Sequence, residues 1–176
     1  MTPLCELAKK YGTDKYPWYT PFYHLLLRNR RVETVLEIGV GTPQAMQHVP
    51  GYQPGASLRM WSEYFPEALV IGFDKDLTGC PSKDPNYTFC EDQNDPQHLA
   101  ELARSFGPFD LIVDDGSHDP AHQISCFNAL FPLLTPCGLY IIEDVNGPLD
   151  LEATHQYVEC RVPESPYAGK LIVVSK

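Results

Sequence analysis

Two pairs of acidic residues, each directly after an apolar run typical of a buried strand, constrain this sequence most. Asp114 and Asp115 follow the residues LIV, and Glu143 and Asp144 follow LYII. If both runs are neighbouring parallel strands, about 4.8 Å apart, their carboxyl ends bring at least three carboxylates to the edge where open α/β sheets bind ligands. A hard divalent cation such as Mg²⁺ is the expected occupant of such a cluster, because it accepts carboxylate oxygens and keeps positions for water and substrate.

Length and charge narrow the classes of protein to consider. The chain has 176 residues, enough for one domain with a core and too few for two. The formal charge is −10, and the only basic cluster is Arg28, Arg30 and Arg31. That cluster is more typical of a helix C-terminus than of a phosphate-binding surface. We therefore expect no nucleic-acid partner.

Cysteine spacing and hydropathy indicate the cellular setting. The six cysteines show no C-x-x-C spacing, and the N-terminal residues MTPLCELAKKYG show no signal-peptide pattern. No apolar stretch approaches the roughly 20 residues that cross a bilayer. The sequence thus predicts a reduced, cytoplasmic protein with no membrane partner.

Strand and helix patterns alternate along most of the chain. Helices are predicted at 3–10 and 20–30, from near Ser57, at 96–106 and after Asp119, and strands at 34–40, 68–74, 87–92, 109–115, 139–144, 157–162 and 171–175. This alternation predicts an α/β fold with a doubly wound, mostly parallel seven-stranded sheet of the Rossmann-like kind. We expect a single domain at 32–176, preceded by an N-terminal helical cap segment at 1–31.

Three successive strand ends carry groups that suit an adenosine ligand. Gly39 and Gly41 follow the first strand, where glycine lets the backbone approach a ligand closely. Asp74 closes the second strand, where a carboxylate can accept hydrogen bonds from both ribose hydroxyls. Asp92 closes the third, where an acid can meet an adenine amine. Each acid alone is more often a cap or turn residue, but their coincidence favours an adenosine-containing cofactor.

The glycine pattern disfavours a nicotinamide cofactor. The third glycine of G-x-G-x-x-G is missing, because Gln44 stands at that position. The long loop at 42–55 also separates the glycines from Asp74 by more than the dinucleotide-binding motif allows. A nucleotide-dependent oxidoreductase therefore remains only as a weaker alternative.

The segments LEIGVG, GASLRMWSEYFPEALVIGFDKD, CEDQND and FDLIVDDGSHDPAHQISCFNALFPLLTPCGLYIIEDV resemble the class I S-adenosylmethionine-dependent methyltransferases. The likeness is greatest to the Mg²⁺-dependent sugar O-methyltransferases of macrolide biosynthesis, the mycinamicin and macrocin type. It covers about residues 11–145, and DDGSH followed by IIEDV is its most specific part. YGTDK and YTPFYH also resemble the N-terminal segment of that group, which closes over the cofactor.

The resemblance assigns roles to individual residues. The cofactor-binding set that it implies is Glu37, Gly39, Gly41, Ser57, Asp74, Asp92, Gln93 and Asp114. The implied metal ligands are Asp115, Glu143 and Asp144, and the implied general base is His118. Strand alternation leaves a second account of Asp114 open, in which its side chain bonds backbone amides in the turn.

The chemistry of the second half of the chain agrees with these roles. A divalent cation stabilises the alkoxide of a sugar hydroxyl, and a histidine three residues beyond Asp115 is near enough to take the proton. The sulfonium methyl group then needs only alignment with that oxygen. The plain alternative, in which the acids are caps and turn residues and His118 is a surface residue, stays open.

The sequence therefore predicts an enzyme that uses S-adenosylmethionine and Mg²⁺ or Mn²⁺ to methylate a hydroxyl of a sugar or small natural product. A catechol-type acceptor and a degenerate methyltransferase domain that acts as a binding subunit are the alternatives. Only residues 145–156 separate the fifth and sixth predicted strands, and we expect no accessory domain before the first. We therefore expect the acceptor pocket to form from residues 11–24, the 42–55 loop and, in a homo-oligomer, a second subunit.

Overall fold

The computed structural model describes residues 1–80, 87–162 and 168–176. The strands are β1 (Thr34–Ile38), β2 (Leu69–Asp74), β3 (Tyr87–Cys90), β4 (Phe109–Asp114), β5 (Leu134–Ile142), β6 (His155–Arg161) and β7 (Ala168–Ser175). They form one seven-stranded sheet in the order β3-β2-β1-β4-β5-β7-β6. The first five strands pair in parallel, whereas β7 is antiparallel to both β5 and β6. The predicted mostly parallel, doubly wound sheet is confirmed.

Helices cover both faces of this sheet. They are α1 (Pro3–Tyr11), α2 (Lys15–Trp18), α3 (Thr20–Leu27), α4 (Ala56–Tyr64), α5 (Pro96–Ala103) and α6 (Pro120–Leu130), followed by a 3₁₀ turn at Phe131–Leu133. Among the described residues, no helix is both long and apolar enough to span a membrane.

Local sequence explains where the helices begin. Thr2 caps α1 by accepting a hydrogen bond from the backbone N–H of Cys5, and Pro3 occupies the first turn. Asp119 caps α6 in the same way, accepting a bond of 2.8 Å from the N–H of Ala121. Proline at the first helical position is favoured because its missing N–H would have no partner there.

Successive residues of each central strand face two different hydrophobic cores, one on each side of the sheet. In β1, Val35 faces the core built with α1, α3 and α4, and Leu36 faces the core built with α5 and α6. The same alternation continues in β4, where Ile112 packs on the α5/α6 side and Val113 on the other. Burial of both faces explains why these strands read as continuous apolar runs.

Helices α1 and α3 contribute to the first core. Leu4, Ala8, Tyr23 and Leu27 are fully buried there. The ring of Tyr23 lies 5.6 Å, centroid to centroid, from the buried ring of Trp61 in α4. The segment that the sequence predicts as a cap therefore packs against the sheet domain through large apolar side chains.

Element boundaries differ from the predicted ones by a few residues. Helix α3 ends at Leu27 and not at residue 30, and α5 ends at Ala103 and not at 106. Strand β5 begins at Leu134, earlier than predicted, because Leu134 already pairs with Phe109 before a bulge shifts the register. The predicted strand at 87–92 ends at Cys90, so Asp92 lies in the turn that follows.

The register of the central strands positions the site. Ile38 pairs with Asp114, and Asp114 pairs with Ile142. The ladder continues just beyond the strands, since the N–H of Asp115 donates to the carbonyl of Ile38 and that of Glu143 to the carbonyl of Asp114, both at 2.9 Å. The carboxyl ends of β1, β4 and β5 therefore finish side by side.

Candidate active site

A cavity of about 710 Å³ opens at the carboxyl ends of the parallel strands. This volume lies within the range of small-molecule and cofactor sites. Its wall includes most of the residues that the sequence predicts for a site, namely Gly39, Gly41, Ser57, Asp74, Asp92, Gln93, Asp115, His118 and Asp144. The remaining three, Glu37, Asp114 and Glu143, are buried and do not line this cavity.

The glycine turn after β1 forms one wall of the cavity. Gly39 and Gly41 have φ of 88° and 81°, which favours glycine. A Cβ atom at Gly39 would overlap the backbone carbonyl of Asp115, so the turn and the strand end beside it touch directly. One Asp74 oxygen accepts from the N–H groups of Val40 and Gly41, at 2.8 and 3.1 Å. Asp74, predicted to bind ribose hydroxyls, thus also holds the turn in shape.

Gln93 and Asp114 form a clamp behind the cavity. Gln93 donates to one Asp114 oxygen at 2.9 Å and accepts from the N–H of Ser117 at 2.8 Å. The same Asp114 oxygen accepts from the N–H of Gly116 at 3.4 Å, and its second oxygen accepts from the Tyr140 hydroxyl at 3.5 Å. Burial raises the pKa of Asp114 to about 7. Its bond to the N–H of Gly116 fits the second account of this residue, and its role in cofactor binding stays a prediction.

An open group of potential ligands lies at the other end of the cavity. Asp115, His118 and Asp144 each bring one ligand atom to within 4.8 Å of the others. His118 and Asp144 have φ of 56° and 51°, a left-handed conformation that side chains rarely adopt. Such strain concentrates at functional sites. Two carboxylates and an imidazole suit a divalent cation.

A second group of carboxylates lies deeper and surrounds Lys15. The Lys15 ammonium is 2.6 Å from Asp115 Oδ2, 2.8 Å from Glu143 Oε1 and 3.4 Å from Glu37 Oε1. Glu37 and Glu143 are fully buried, and so is Lys15. Glu143 also accepts a 2.5 Å bond from Tyr23, and Glu37 a 2.6 Å bond from Trp61 Nε1. Glu143, predicted as a metal ligand, and Glu37, predicted beside the cofactor, therefore both face this lysine.

The residue between α2 and α3 supplies a further contact to the open group. The buried Tyr19 hydroxyl donates to Asp144 Oδ1, and His118 Nε2 lies 3.9 Å from Asp144 Oδ2. The second imidazole nitrogen of His118, Nδ1, finds no hydrogen-bond partner among the described residues. Asp144 is thus held by a side chain from the N-terminal helices.

Burial sets the protonation of these groups. It raises the pKa of Asp115 well above its ordinary value, with a further rise from the Glu143 charge. It raises the pKa of Glu143 to about 7, although Lys15 and Tyr23 favour the carboxylate. It lowers the pKa of His118, more than the Asp144 charge raises it. A cation is therefore favoured among the carboxylates, and a neutral imidazole beside them can accept a proton.

Lys15 is the residue of this site that the sequence analysis does not predict. The segment YGTDK shows only a resemblance to a family segment, and a lysine in a short polar link is ordinarily a surface residue. The signal that could have found it is the excess of acidic strand ends, since such a cluster needs a cation.

No protein-family model matches this chain. The demethylmacrocin O-methyltransferase of Streptomyces fradiae is 42% identical over 151 residues, which are 81% of this chain and 36% of that protein. The mycinamicin VI 2''-O-methyltransferase of Micromonospora griseorubida is 41% identical with the same shares. The chain spans little more than a third of the length of these curated relatives.

Solved structures show the same likeness. The MycE methyltransferase of the mycinamycin pathway, in complex with Mg, SAH and mycinamycin VI, matches with a TM-score of 0.70 at 41% identity, over 81% of this chain and 39% of that chain. The O-methyltransferase TomG of Streptomyces achromogenes, in complex with SAM, matches with a TM-score of 0.60 at 12% identity, over 98% and 87%. The second likeness shows the fold alone. It is the class I methyltransferase fold.

Proposed function

Because this chain is a homologue of the macrolide sugar O-methyltransferases and has the class I methyltransferase fold, we propose that it transfers the methyl group of S-adenosylmethionine to a hydroxyl with the help of a divalent cation. One observation carries the proposal. A single cavity holds the glycine turn and Asp74 at one end and Asp115, His118 and Asp144 at the other.

The cofactor is proposed for the end of the cavity formed by β1, β2 and the turn after β3. Gly39 and Gly41 line that end, and their lack of a side chain lets the turn lie directly against Asp115 and Tyr52. Asp74 and Asp92 line that end, and so does Ser57 in the first turn of α4. A helix N-terminus presents free N–H groups, which suit the methionine carboxylate.

The cation is proposed for the open group, with Asp115 and Asp144 as carboxylate ligands. When bound, it supplies a positive charge that stabilises the alkoxide developing on an acceptor hydroxyl. Glu143, which precedes Asp144, stays a predicted third ligand, and its Oε1 is already bonded to Lys15 and Tyr23. A donor set of carboxylate oxygens fits Mg²⁺ or Mn²⁺, and it leaves the His118 imidazole free of the cation.

His118 is proposed as the general base. Its ring lies beside Asp144 on the cavity wall, and its lowered pKa keeps the imidazole neutral at neutral pH. A neutral imidazole takes the hydroxyl proton as the oxygen attacks the sulfonium methyl group. The cavity wall then holds the two reactants in line, which accounts for much of the remaining rate enhancement.

A sugar hydroxyl of a natural product is the acceptor class that we propose, since the relatives' names describe sugar O-methylation of macrolides and tetracenomycin. The 42–55 loop lines the cavity through Met46, His48 and Tyr52. We also propose a cytoplasmic, homo-oligomeric protein. The six cysteines, all in the described part of the chain, form no disulfide bond, and only a short link joins β5 to β6 beside the cavity, so a second subunit would help to enclose a large acceptor.

Binding and transfer measurements test the proposal separately. Calorimetry in EDTA should show binding of S-adenosylhomocysteine, and Asp74→Ala should weaken it by roughly 1.5–3 kcal/mol, the scale of hydrogen bonds to a charged group. Asp150→Ala, at an exposed position outside the cavity, is the matched control. Methyl transfer from labelled S-adenosylmethionine to mycinamycin VI should stop in EDTA and return with Mg²⁺ or Mn²⁺.

Three outcomes would contradict the proposal in different parts. Preference for NAD over S-adenosylhomocysteine would remove the cofactor assignment. Full transfer in EDTA would remove the cation. Cofactor binding without transfer to any hydroxyl acceptor would favour a degenerate domain that only binds.

A further inference from the structure

We propose that Lys15 is a built-in cation of the carboxylate cluster, holding the place of a second metal ion so that the cluster takes one divalent cation and not two. The inference rests on the metal site of the proposed function. We call Glu37, Asp115 and Glu143 around Lys15 the inner site, and Asp115, His118 and Asp144 the outer site. Asp115 belongs to both.

The contacts of Lys15 resemble those of a bound ion more than those of a surface lysine. Its ammonium meets three carboxylates. Glu37 in β1 is 3.4 Å away, Asp115 after β4 is 2.6 Å away and Glu143 after β5 is 2.8 Å away. Only 1% of its side chain is exposed. In the described part of the chain, no other lysine or arginine forms an ion pair with these carboxylates.

Charge explains why the inner site needs a cation of its own. Glu37 and Glu143 are fully buried, and two ionised carboxylates without a partner are costly to bury. One ammonium cannot neutralise three carboxylates, and Asp144 adds a fourth nearby. The cluster therefore stays negative enough for one divalent cation at the outer site, while the ammonium repels a second.

One atom indicates that the inner site has spare capacity for a metal ion. Glu37 Oε1 is buried and has no hydrogen-bond partner among the described residues, and its distance to the ammonium is the longest of the three. The other Glu37 oxygen is fixed by Trp61. A divalent cation in place of the ammonium would meet oxygens from three carboxylates, which is a sufficient protein ligand set for Mg²⁺ or Mn²⁺.

Lys15 belongs to the N-terminal helical segment, which precedes the first strand of the sheet. Lys15 begins α2, and Tyr19 and Tyr23 in the next turns bond Asp144 and Glu143. The cation is thus present only when the N-terminal helices are docked. A metal ion at this place would need no such docking, so the lysine also ties the cluster to those helices.

The test replaces the charge and measures metal binding without acceptor. Lys15→Met keeps much of the apolar stem and removes the ammonium. Calorimetry with Mn²⁺, repeated with Mg²⁺, should show at least tenfold tighter binding than in the wild type, or a second ion per chain. The melting temperature of the variant should also rise more with Mn²⁺ than that of the wild type. Lys10→Met, which breaks the surface pair between Lys10 of α1 and Glu63 of α4, should leave both readouts unchanged.

A second variant keeps the test decisive if the first is too unstable. Lys15→Gln removes the charge but keeps all three carboxylates, and the amide nitrogen of Gln can still donate a hydrogen bond to one of them. This second variant should also bind Mn²⁺ more tightly than the wild type. A variant that folds only when Mn²⁺ is present would support the proposal too.

The inference would be overturned if the variant that folds binds Mn²⁺ no more tightly than the wild type and with the same number of ions per chain. The result is separable from the proposed function. If the wild type binds no Mn²⁺ and transfers methyl groups in EDTA, the proposed metal role fails. A site for Mn²⁺ that appears only after Lys15 is replaced would still support the role of Lys15.

Discussion

His118 reaches the cavity because its backbone adopts a left-handed conformation. A φ of 56° at a non-glycine residue costs free energy, and Asp144, which faces it, has the same kind of strain. The surrounding bonds hold both conformations in place, including the capped start of α6 and the bond from Tyr19. Strain at two facing residues of one cavity indicates a site where position matters more than stability.

Replacing His118 tests its role as the base. His118→Ala should lower kcat by about 10²–10⁴, the usual contribution of a general base, with little change in the affinity for S-adenosylhomocysteine. In the wild type, the rate should rise with pH as the imidazole loses its proton and then level off. Because burial lowers the pKa of His118, the plateau should begin at a lower pH than for a free histidine of pKa about 6.5.

His98→Ala is the control for that variant, because His98 lies in α5 and is exposed. Wild-type turnover of His118→Ala on a true acceptor would return His118 to the surface-residue account. The cation alone would then have to activate the hydroxyl.

Because the Asp114 carboxyl is buried, we expect the stability of the protein to depend on pH. The pKa of this carboxyl is raised to about 7 by burial, so the folded protein keeps a proton that the unfolded chain loses near pH 4. Stability should therefore fall as pH rises from 4 to 7 and level off above 7, by up to about 4 kcal/mol for a shift of roughly three units. Asp114→Asn should remove this component, because the amide stays neutral and its oxygen still accepts from Gln93.

Urea unfolding of both proteins in EDTA, at pH 5 and pH 8, measures this difference. The free energy of unfolding should drop more for the wild type than for Asp114→Asn between the two values. Equal drops would show that Asp114 stays ionised in the folded protein, stabilised by Gln93 and the N–H of Gly116.

The elements that carry the site were predictable because local chemistry defines them. Apolar runs that end in glycine or an acidic residue predict β1, β2, β4 and β5, and the Asp119-Pro120 pair predicts the start of α6. Boundaries were less predictable where tertiary contacts decide them. Residues 28–30 permit a helix by propensity, yet α3 ends at Leu27, and Arg30 donates to the carbonyl of Cys137 at 2.7 Å.

The turn after β1 makes a prediction at this scale. Gly39→Ala should destabilise the protein and weaken S-adenosylhomocysteine binding at least tenfold, because the new Cβ would push the turn away from the carbonyl of Asp115. Gly51→Ala is the matched control. Gly51 also has a positive φ, 72°, but its Cβ would meet nothing within 4 Å, so only the backbone cost of about 1–2 kcal/mol applies.

Urea unfolding and calorimetry compare the two alanine variants. The difference between them isolates the contact between the glycine turn and the end of β4. If both variants lose the same stability and keep full cofactor affinity, the close approach of the turn has no part in the site.

At the scale of the whole molecule, the sequence could not place the N-terminal helices. Lys15 contacts Asp115 and Glu143, which lie 100 and 128 positions further along the chain, and no local pattern encodes such a pairing. The carboxyl ends of parallel strands meet at one edge of a sheet, so the sequence predicts that the carboxylates lie together. It does not predict which positive group neutralises them. The sequence therefore predicts Glu143 only as a metal ligand, whereas in the structure its carboxylate accepts hydrogen bonds from Lys15 and Tyr23.

The packing of α1 predicts that the N-terminal helices unfold together with the sheet. Leu4 is fully buried in the core that contains Trp61, whereas Leu25 is 62% exposed. Leu4→Ala should lower the free energy of unfolding by about 2–5 kcal/mol, the cost of deleting a buried leucine side chain. Leu25→Ala should change it by less than about 0.5 kcal/mol.

Urea unfolding followed by far-ultraviolet circular dichroism and by tryptophan fluorescence separates a docked segment from a loose lid. For a docked segment the two signals should move together in Leu4→Ala, with a lower midpoint and an unchanged slope. For a loose lid, the circular dichroism would show an early partial transition while the main unfolding of the sheet kept its wild-type midpoint. The second pattern would mean that Lys15 leaves the carboxylates before the sheet unfolds, so the inner site would be open to metal ions in the native protein.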